Sequence, residues 1–203
     1  MVSLLSLVLS VGRSGSCVVS RDGNAPAQAG LQCRYCGAAA GHVPFGLVEE
    51  AAVACALCGL VRHLERPRIN EEARLIWLPE MSQAAVNAVT RRVHSGLRGL
   101  GERMEAGAQP SLAAGERPLL YHVQQALLER SREAEVHLGT SDPGELADGL
   151  VRLSAGAYAR REALLGGIRL LPTGRLFEGG EDIYPAVVDS WRQGDGRPAG
   201  GPA

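Results

Sequence analysis

Apolar and polar positions alternate along the first eleven residues. Leu5, Leu7, Leu9 and Val11 share one face of an extended chain, and Ser6 and Ser10 share the other with Leu4 and Val8. This period of two predicts a mostly buried β-strand. Residues 17–22 fit a second short strand ending at Asp22-Gly23-Asn24, residues 24–30 a loop, and 45–48 another short strand. The period then becomes helical. Leu57, Leu60, Val61 and Leu64 form a stripe on a helix closed by Pro67, and the apolar stretch Leu75-Ile76-Trp77-Leu78 ends at Pro79. From Ser82 as N-cap, Val86, Val89, Val93, Leu97, Leu100 and Met104 recur at three- and four-residue spacing, which predicts a long amphipathic helix. Residues 107–115 read as a loop. A further helix starts near Pro118, carries Leu120, Val123, Leu127, Ala134 and Leu138, and stops at Gly139.

Asp142-Pro143-Gly144-Glu145 reads as a capping box, and the helix it opens carries Leu146, Leu150 and Leu153. Residues 157–165 predict another helix before Gly166-Gly167, and 168–172 an extended segment. Residues 182–191 predict a last helix with Tyr184, Val187, Val188 and Trp191 on one side. The Gly/Pro-rich end, 193–203, reads as a flexible tail. Residues 1–192 are expected to form a single compact domain.

Cysteine changes this picture. Four of the five cysteines form two Cys-x-x-Cys pairs, Cys33/Cys36 and Cys55/Cys58, with eighteen residues between them. That spacing fits a tetrahedral Cys₄ zinc site better than four unrelated thiols or two disulfides. Glycine follows each pair (Gly37 and Gly59), as a knuckle with a φ > 0 turn requires, and Arg34 and Arg62 are placed to offset excess thiolate charge. Four protein sulfurs leave no open position, so the zinc is expected to be structural. A knuckle, a hairpin and a helix opened by the second pair make a treble-clef arrangement. The expected fold class is therefore α+β, an HNH-like zinc module at about 17–66 followed by a helical portion at about 80–192. Cys17, outside the pairs, reads as an inert thiol, and thiols at metal spacing point to a reducing compartment.

HNH chemistry needs a histidine base, an asparagine that orients it and a further metal ligand. His63 and the sequence His42-Val43-Pro44 stand near the required positions. Gly41 replaces the acid, however, and no asparagine occurs between Asn24 and Asn70. Both histidines read as loop or surface residues, and no catalytic residue is assigned. His94 has no metal-spaced companion, and His122 and His137 are fifteen residues apart on one predicted helix.

Composition narrows the partners. Hydrophobic content is 45% and charged content 21%, ordinary for a globular chain; aromatics are only 4%. All 21 basic residues are arginine, dispersed along the sequence, and the net charge is −1. No broad electropositive surface is expected, and hence no nucleic-acid partner. The apolar run at 4–11 is too short to span a bilayer, and no basic residue precedes it as a signal peptide would require.

Several blocks, taken together, resemble the IcmJ/DotN family of type IVB (Dot/Icm) secretion systems. They are Leu7-Val8-Leu9-Ser10-Val11, the Cys33-x-x-Cys36-Gly37 knuckle, and Ala54-Cys55-x-x-Cys58. Leu75-Ile76-Trp77-Leu78-Pro79-Glu80-Met81-Ser82-Gln83, Gly139-Thr140-Ser141-Asp142-Pro143 and Ile168-Arg169-Leu170-Leu171-Pro172 complete the set. The chain departs from the family by an insertion between Asp22 and Cys33, a shorter segment between the pairs and a Gly-rich tail. The resemblance implies a non-enzymatic subunit of the type IV coupling complex that binds the C-terminal tail of a DotL-like coupling ATPase and other coupling-complex subunits. It also implies a cytoplasmic location, peripheral to the inner membrane. A zinc-dependent nucleic-acid adaptor and an HNH-type nuclease are the alternatives.

Overall fold

The computed structural model describes residues 4–12, 32–38, 45–47, 52–109 and 117–195. The expected strand at 17–22, the loop at 24–30, Cys17 and His42 lie outside them. The fold is α+β. In chain order, β1 (Phe45–Leu47) and β2 (Ala52–Ala54) form an antiparallel hairpin that runs into α1 (Ala56–Arg62). After α2 (Ile69–Glu72), β3 (Ala73–Trp77) leads to the long α3 (Gln83–Gly99). Next come α4 (Arg117–Glu129), α5 (Ser131–Leu138), α6 (Pro143–Val151), α7 (Ala155–Ala159) and α8 (Arg161–Leu165). The chain closes with β4 (Ile168–Pro172), a small hairpin of β5 (Phe177–Glu178) and β6 (Glu181–Asp182), and α9 (Tyr184–Asp195).

The ribbon of β3 and β4 is the centre of the helical part. It is antiparallel, with Leu75 opposite Leu170 and Trp77 opposite Ile168. Alternate N–H groups of β3 face away from β4 and need other partners. Leu75 donates to the Ser141 carbonyl at 2.8 Å and Trp77 to the Arg130 carbonyl at 3.1 Å. The second demand accounts for a departure from the expected single helix over 118–138. The helix is broken at Arg130 into α4 and α5, and the carbonyl at the break serves β3. Gly139 then ends α5 in the left-handed region, φ 79°, as expected.

On the β4 side, Gln83 of α3 does the work of a strand. Its amide nitrogen donates to the Leu170 carbonyl and its oxygen accepts from the Leu170 N–H, both at 2.8 Å. Ser82 caps α3 as expected, accepting from Ala85 N–H at 3.2 Å. Val86, Val93 and Leu97 of the predicted stripe are buried, while Leu100 lies past the helix and is 38% exposed.

Other expectations change in detail. Among the described residues, the 4–11 segment expected as a strand belongs to no β-strand. Its partners are backbone and side chain alike: Leu5 N–H donates to the Arg34 carbonyl, Ser10 N–H donates to the Val61 carbonyl and the Ser10 carbonyl accepts from Leu64 N–H. Tyr158 exchanges two hydrogen bonds with the Val11 backbone, and Arg161 donates to the Leu9 carbonyl and the Ser10 hydroxyl. α1 stops at Arg62 with His63 as C-cap, before Pro67 is reached. Asp142 occupies the N-cap of α6 without capping it. Its carboxylate pairs with Arg74, and Asn70 instead accepts the Gly144 N–H at 2.8 Å. The helix expected over 157–165 is two short ones. α9 continues to Asp195, through the first three residues of the expected tail. Residues 196–203 are outside the described set.

One contiguous apolar core joins the two regions, from Leu9, Leu57 and Leu60 to Leu97, Leu150, Leu170 and Val188. No helix among the described residues is long and apolar enough to cross a membrane.

Gln83→Ala should lower unfolding stability by about 2–4 kcal/mol, because it empties a buried position and orphans both backbone groups of Leu170. Ser82→Ala, which removes only an exposed cap, should cost about 1 kcal/mol. Urea denaturation checks both; equal small losses would contradict the bridging role of Gln83.

Candidate metal centre

Local rules build each half of the cysteine site. At Cys33–Cys36 the chain turns back on itself. Cys33 N–H donates to the Ala38 carbonyl at 2.8 Å, and Gly37 N–H donates to the Cys33 carbonyl at 2.9 Å. Gly37 sits at φ 72°, where a side chain would be strained. Gly59 differs from expectation: it lies within α1, donating to the Cys55 carbonyl at 2.8 Å. The second pair is therefore arranged by the helix. Cys55 is the N-cap and Cys58 lies three residues on, which puts both sulfurs on one face.

The structure brings all four sequence-predicted ligands together. Their sulfurs lie within 4.8 Å of one another, and Cys36 Sγ is 3.7 Å from Cys55 Sγ. A tetrahedron with metal–sulfur bonds of about 2.3 Å has edges of about 3.8 Å. The cysteines are free thiols; Cys33, Cys55 and Cys58 are buried and Cys36 is partly exposed. The donor set and spacing fit a tetrahedral thiophilic ion.

Electrostatics supports the same fit. Without a cation, four thiols this close must share protons. Sulfur hydrogen bonds from Cys36, Cys55 and Cys58 hold Cys33 well below the usual thiol range. Hydrogen bonding to Cys33 and Cys36, with burial added, pushes Cys55 and Cys58 far above it. A divalent ion relieves this conflict by converting all four to thiolates, so metal uptake releases protons and weakens as pH falls.

Two surrounding residues were missed by sequence reasoning. Asn87 is buried in α3, and its amide nitrogen lies 3.4 Å from Cys58 Sγ. Gln83, one turn earlier, donates to the Asn87 oxygen at 3.0 Å, which turns the Asn87 nitrogen towards the sulfur. A polar residue beside Val86, Thr90 and Val93 on the buried face was the available signal. His94, to which the sequence assigns no role, is fully buried. Its Nδ1 is 2.6 Å from the Tyr184 hydroxyl, and its Nε2 is 3.1 Å from the Gln124 amide nitrogen. The same nitrogen of Gln124 donates to the Met104 carbonyl, so Nε2 of His94 accepts and Nδ1 carries the proton. Burial lowers the pKa of His94 to about 3. The unfolded chain takes up this proton near pH 6.5, so His94 erodes stability as pH falls from there towards 3.

The remaining candidates lie elsewhere. His63, expected at the surface, is buried, with Nδ1 2.9 Å from Glu65. Arg62 reaches the Ser10 hydroxyl and lies over the Tyr35 ring, and Arg34 is exposed. His137 stacks on Trp77 with ring centroids 3.8 Å apart, and His122 is exposed. Compared with known proteins, the chain matches no family model and no curated protein.

Asn87→Leu should weaken divalent-metal binding by roughly 10- to 100-fold, because it removes the N–H that stabilises the Cys58 thiolate. Competition against a chromogenic chelator measures this; unchanged affinity would show that Asn87 serves packing alone.

Proposed function

We propose that the chain is a non-enzymatic subunit of a type IVB coupling complex, with one structural zinc held by Cys33, Cys36, Cys55 and Cys58. The observation that carries the zinc assignment is the four-sulfur cluster, three of its cysteines buried, whose spacing suits zinc and whose four sulfurs fill a tetrahedral shell. Knuckle, hairpin and helix follow one another in the order of a treble clef, which supports an HNH-like scaffold. His63, the nearest remnant of an HNH site, is buried against Glu65, in keeping with a scaffold role.

The family reading draws on the arrangement of the motif blocks. Leu75-Ile76-Trp77 lies on β3 and pairs with Ile168-Arg169-Leu170-Leu171-Pro172, which is β4. Ser141, from the third block, accepts the Leu75 N–H. Three stretches separated by as many as ninety residues thus form one packed unit, as expected if they were retained together to build a common scaffold. In this reading the rigid, metal-braced chain receives the flexible C-terminal tail of a DotL-like coupling ATPase. It works in the cytoplasm, peripheral to the inner membrane, beside other subunits of the complex. The tail bears the ordering cost, and the receptor is already formed.

Co-expression with the C-terminal tail of the coupling ATPase from the same secretion system, followed by gel filtration, tests the proposal. The two should co-elute and bury roughly 1,000 Å² or more. Separate elution at micromolar concentration, with the metal site intact, would remove the partner assignment.

A further inference from the structure

The four-sulfur cluster is not sealed evenly. Cys33 and Cys58 are 1% and 0% exposed, whereas Cys36 is partly open. A cleft of about 290 Å³ lies over that side, between the knuckle, the head of α1, α3 and α9. Cys36 and Cys55 line it, together with Ala88 of α3 and Trp191 of α9; Cys33 and Cys58 do not. Ala88 is exposed at its rim, and Arg91 lies over the Trp191 ring at 5.3 Å.

We propose that Cys36 is an oxidation site, and that a peroxide-class oxidant entering this cleft joins Cys36 to Cys55 as a disulfide and expels the metal. The inference rests on the zinc site proposed above. Three observations lead to it. Reactivity of a thiolate follows its accessibility, and Cys36 is partly exposed where the other three are buried. A water molecule takes about 30 Å³ of liquid volume, so the cleft admits a molecule the size of hydrogen peroxide. Finally, the sulfur of Cys55 is 3.7 Å away and opens on the same cleft.

The chemistry balances. The Cys36 thiolate attacks one peroxide oxygen; the S–O bond forms, the O–O bond breaks, and hydroxide leaves, giving a sulfenic acid. The Cys55 thiolate then attacks that sulfur; the S–S bond forms, the S–O bond breaks, and a second hydroxide leaves. Two thiolates lose two electrons and peroxide gains them. Cys33 and Cys58 alone cannot complete a tetrahedral site, so the ion departs. The resulting bond ties the knuckle to the head of α1, across the two Cys-x-x-Cys pairs and within neither.

The full chain, purified reduced, supplies the test. Its zinc content is measured first; less than half an equivalent overturns the zinc site and this inference with it. Zinc-loaded protein is then treated with hydrogen peroxide, release is followed with a chromogenic chelator, and disulfides are mapped by mass spectrometry. A glutamate-specific protease cuts at Glu49 and Glu50 between the pairs, and trypsin cuts at Arg34 between Cys33 and Cys36. The expected result is zinc release with a Cys36–Cys55 linkage. Ala88→Trp, which fills the cleft from an exposed helix position, should keep full zinc content and slow release at least about threefold. Linkages within the pairs, or equal release rates in the two proteins, would overturn the inference and leave the zinc site standing.

Discussion

Four cysteine sulfurs packed within 4.8 Å, three of their residues buried, impose the constraint on which the amino-terminal half depends. Thiols this close and this buried cannot all ionise together, and only a cation lets all four become thiolates. The elements around them have little stability of their own. β1 and β2 have three residues each and α1 has seven, below the size at which isolated hairpins or helices persist in water. Free energy of metal binding at such a site is free energy of folding.

The same site is tied to the helical part through α3. Leu170 of β4 is bonded to Gln83, Gln83 to Asn87, and Asn87 to Cys58. Gln83 and Asn87 are four residues apart on one helix face, so a single element spaces the four-cysteine cluster from the β3–β4 ribbon. The ribbon in turn takes its remaining hydrogen bonds from the end of α4 and the turn before α6. A buried ion pair closes the other side. Arg66 grips both oxygens of the fully buried Glu72 at 2.8 and 2.9 Å, and Glu72 also accepts the Phe177 N–H that begins the β5–β6 hairpin.

Much of this was legible in the sequence because periodicity and covalent spacing carry it. The four-cysteine cluster followed from two Cys-x-x-Cys pairs, α3 from its stripe and its Ser82 cap, and β4 from an apolar run between glycine and proline. What escaped depended on partners remote in the chain. The 4–11 segment has a strand's alternation, yet its backbone bonds go to Arg34, Val61 and Leu64 and to the side chains of Tyr158 and Arg161, not to a neighbouring strand. The break at Arg130 answers a demand from β3 about fifty residues earlier. Asp142 looked like a cap until Arg74 claimed its carboxylate. The β5–β6 hairpin did carry a local sign, Gly179-Gly180 with φ of 58° and 92°, but its strands of two residues are too short to show a period. Asn87 and His94 are polar residues on an apolar face, and only the packed structure tells what they touch.

The central claim is that the four cysteines hold one zinc ion in a closed all-sulfur shell. X-ray absorption at the zinc K-edge on the native protein measures that shell directly. The account predicts four sulfur scatterers at about 2.3 Å and no oxygen or nitrogen ligand. A shell with fewer than four sulfurs, or one completed by light atoms at about 2.0–2.1 Å, would contradict it.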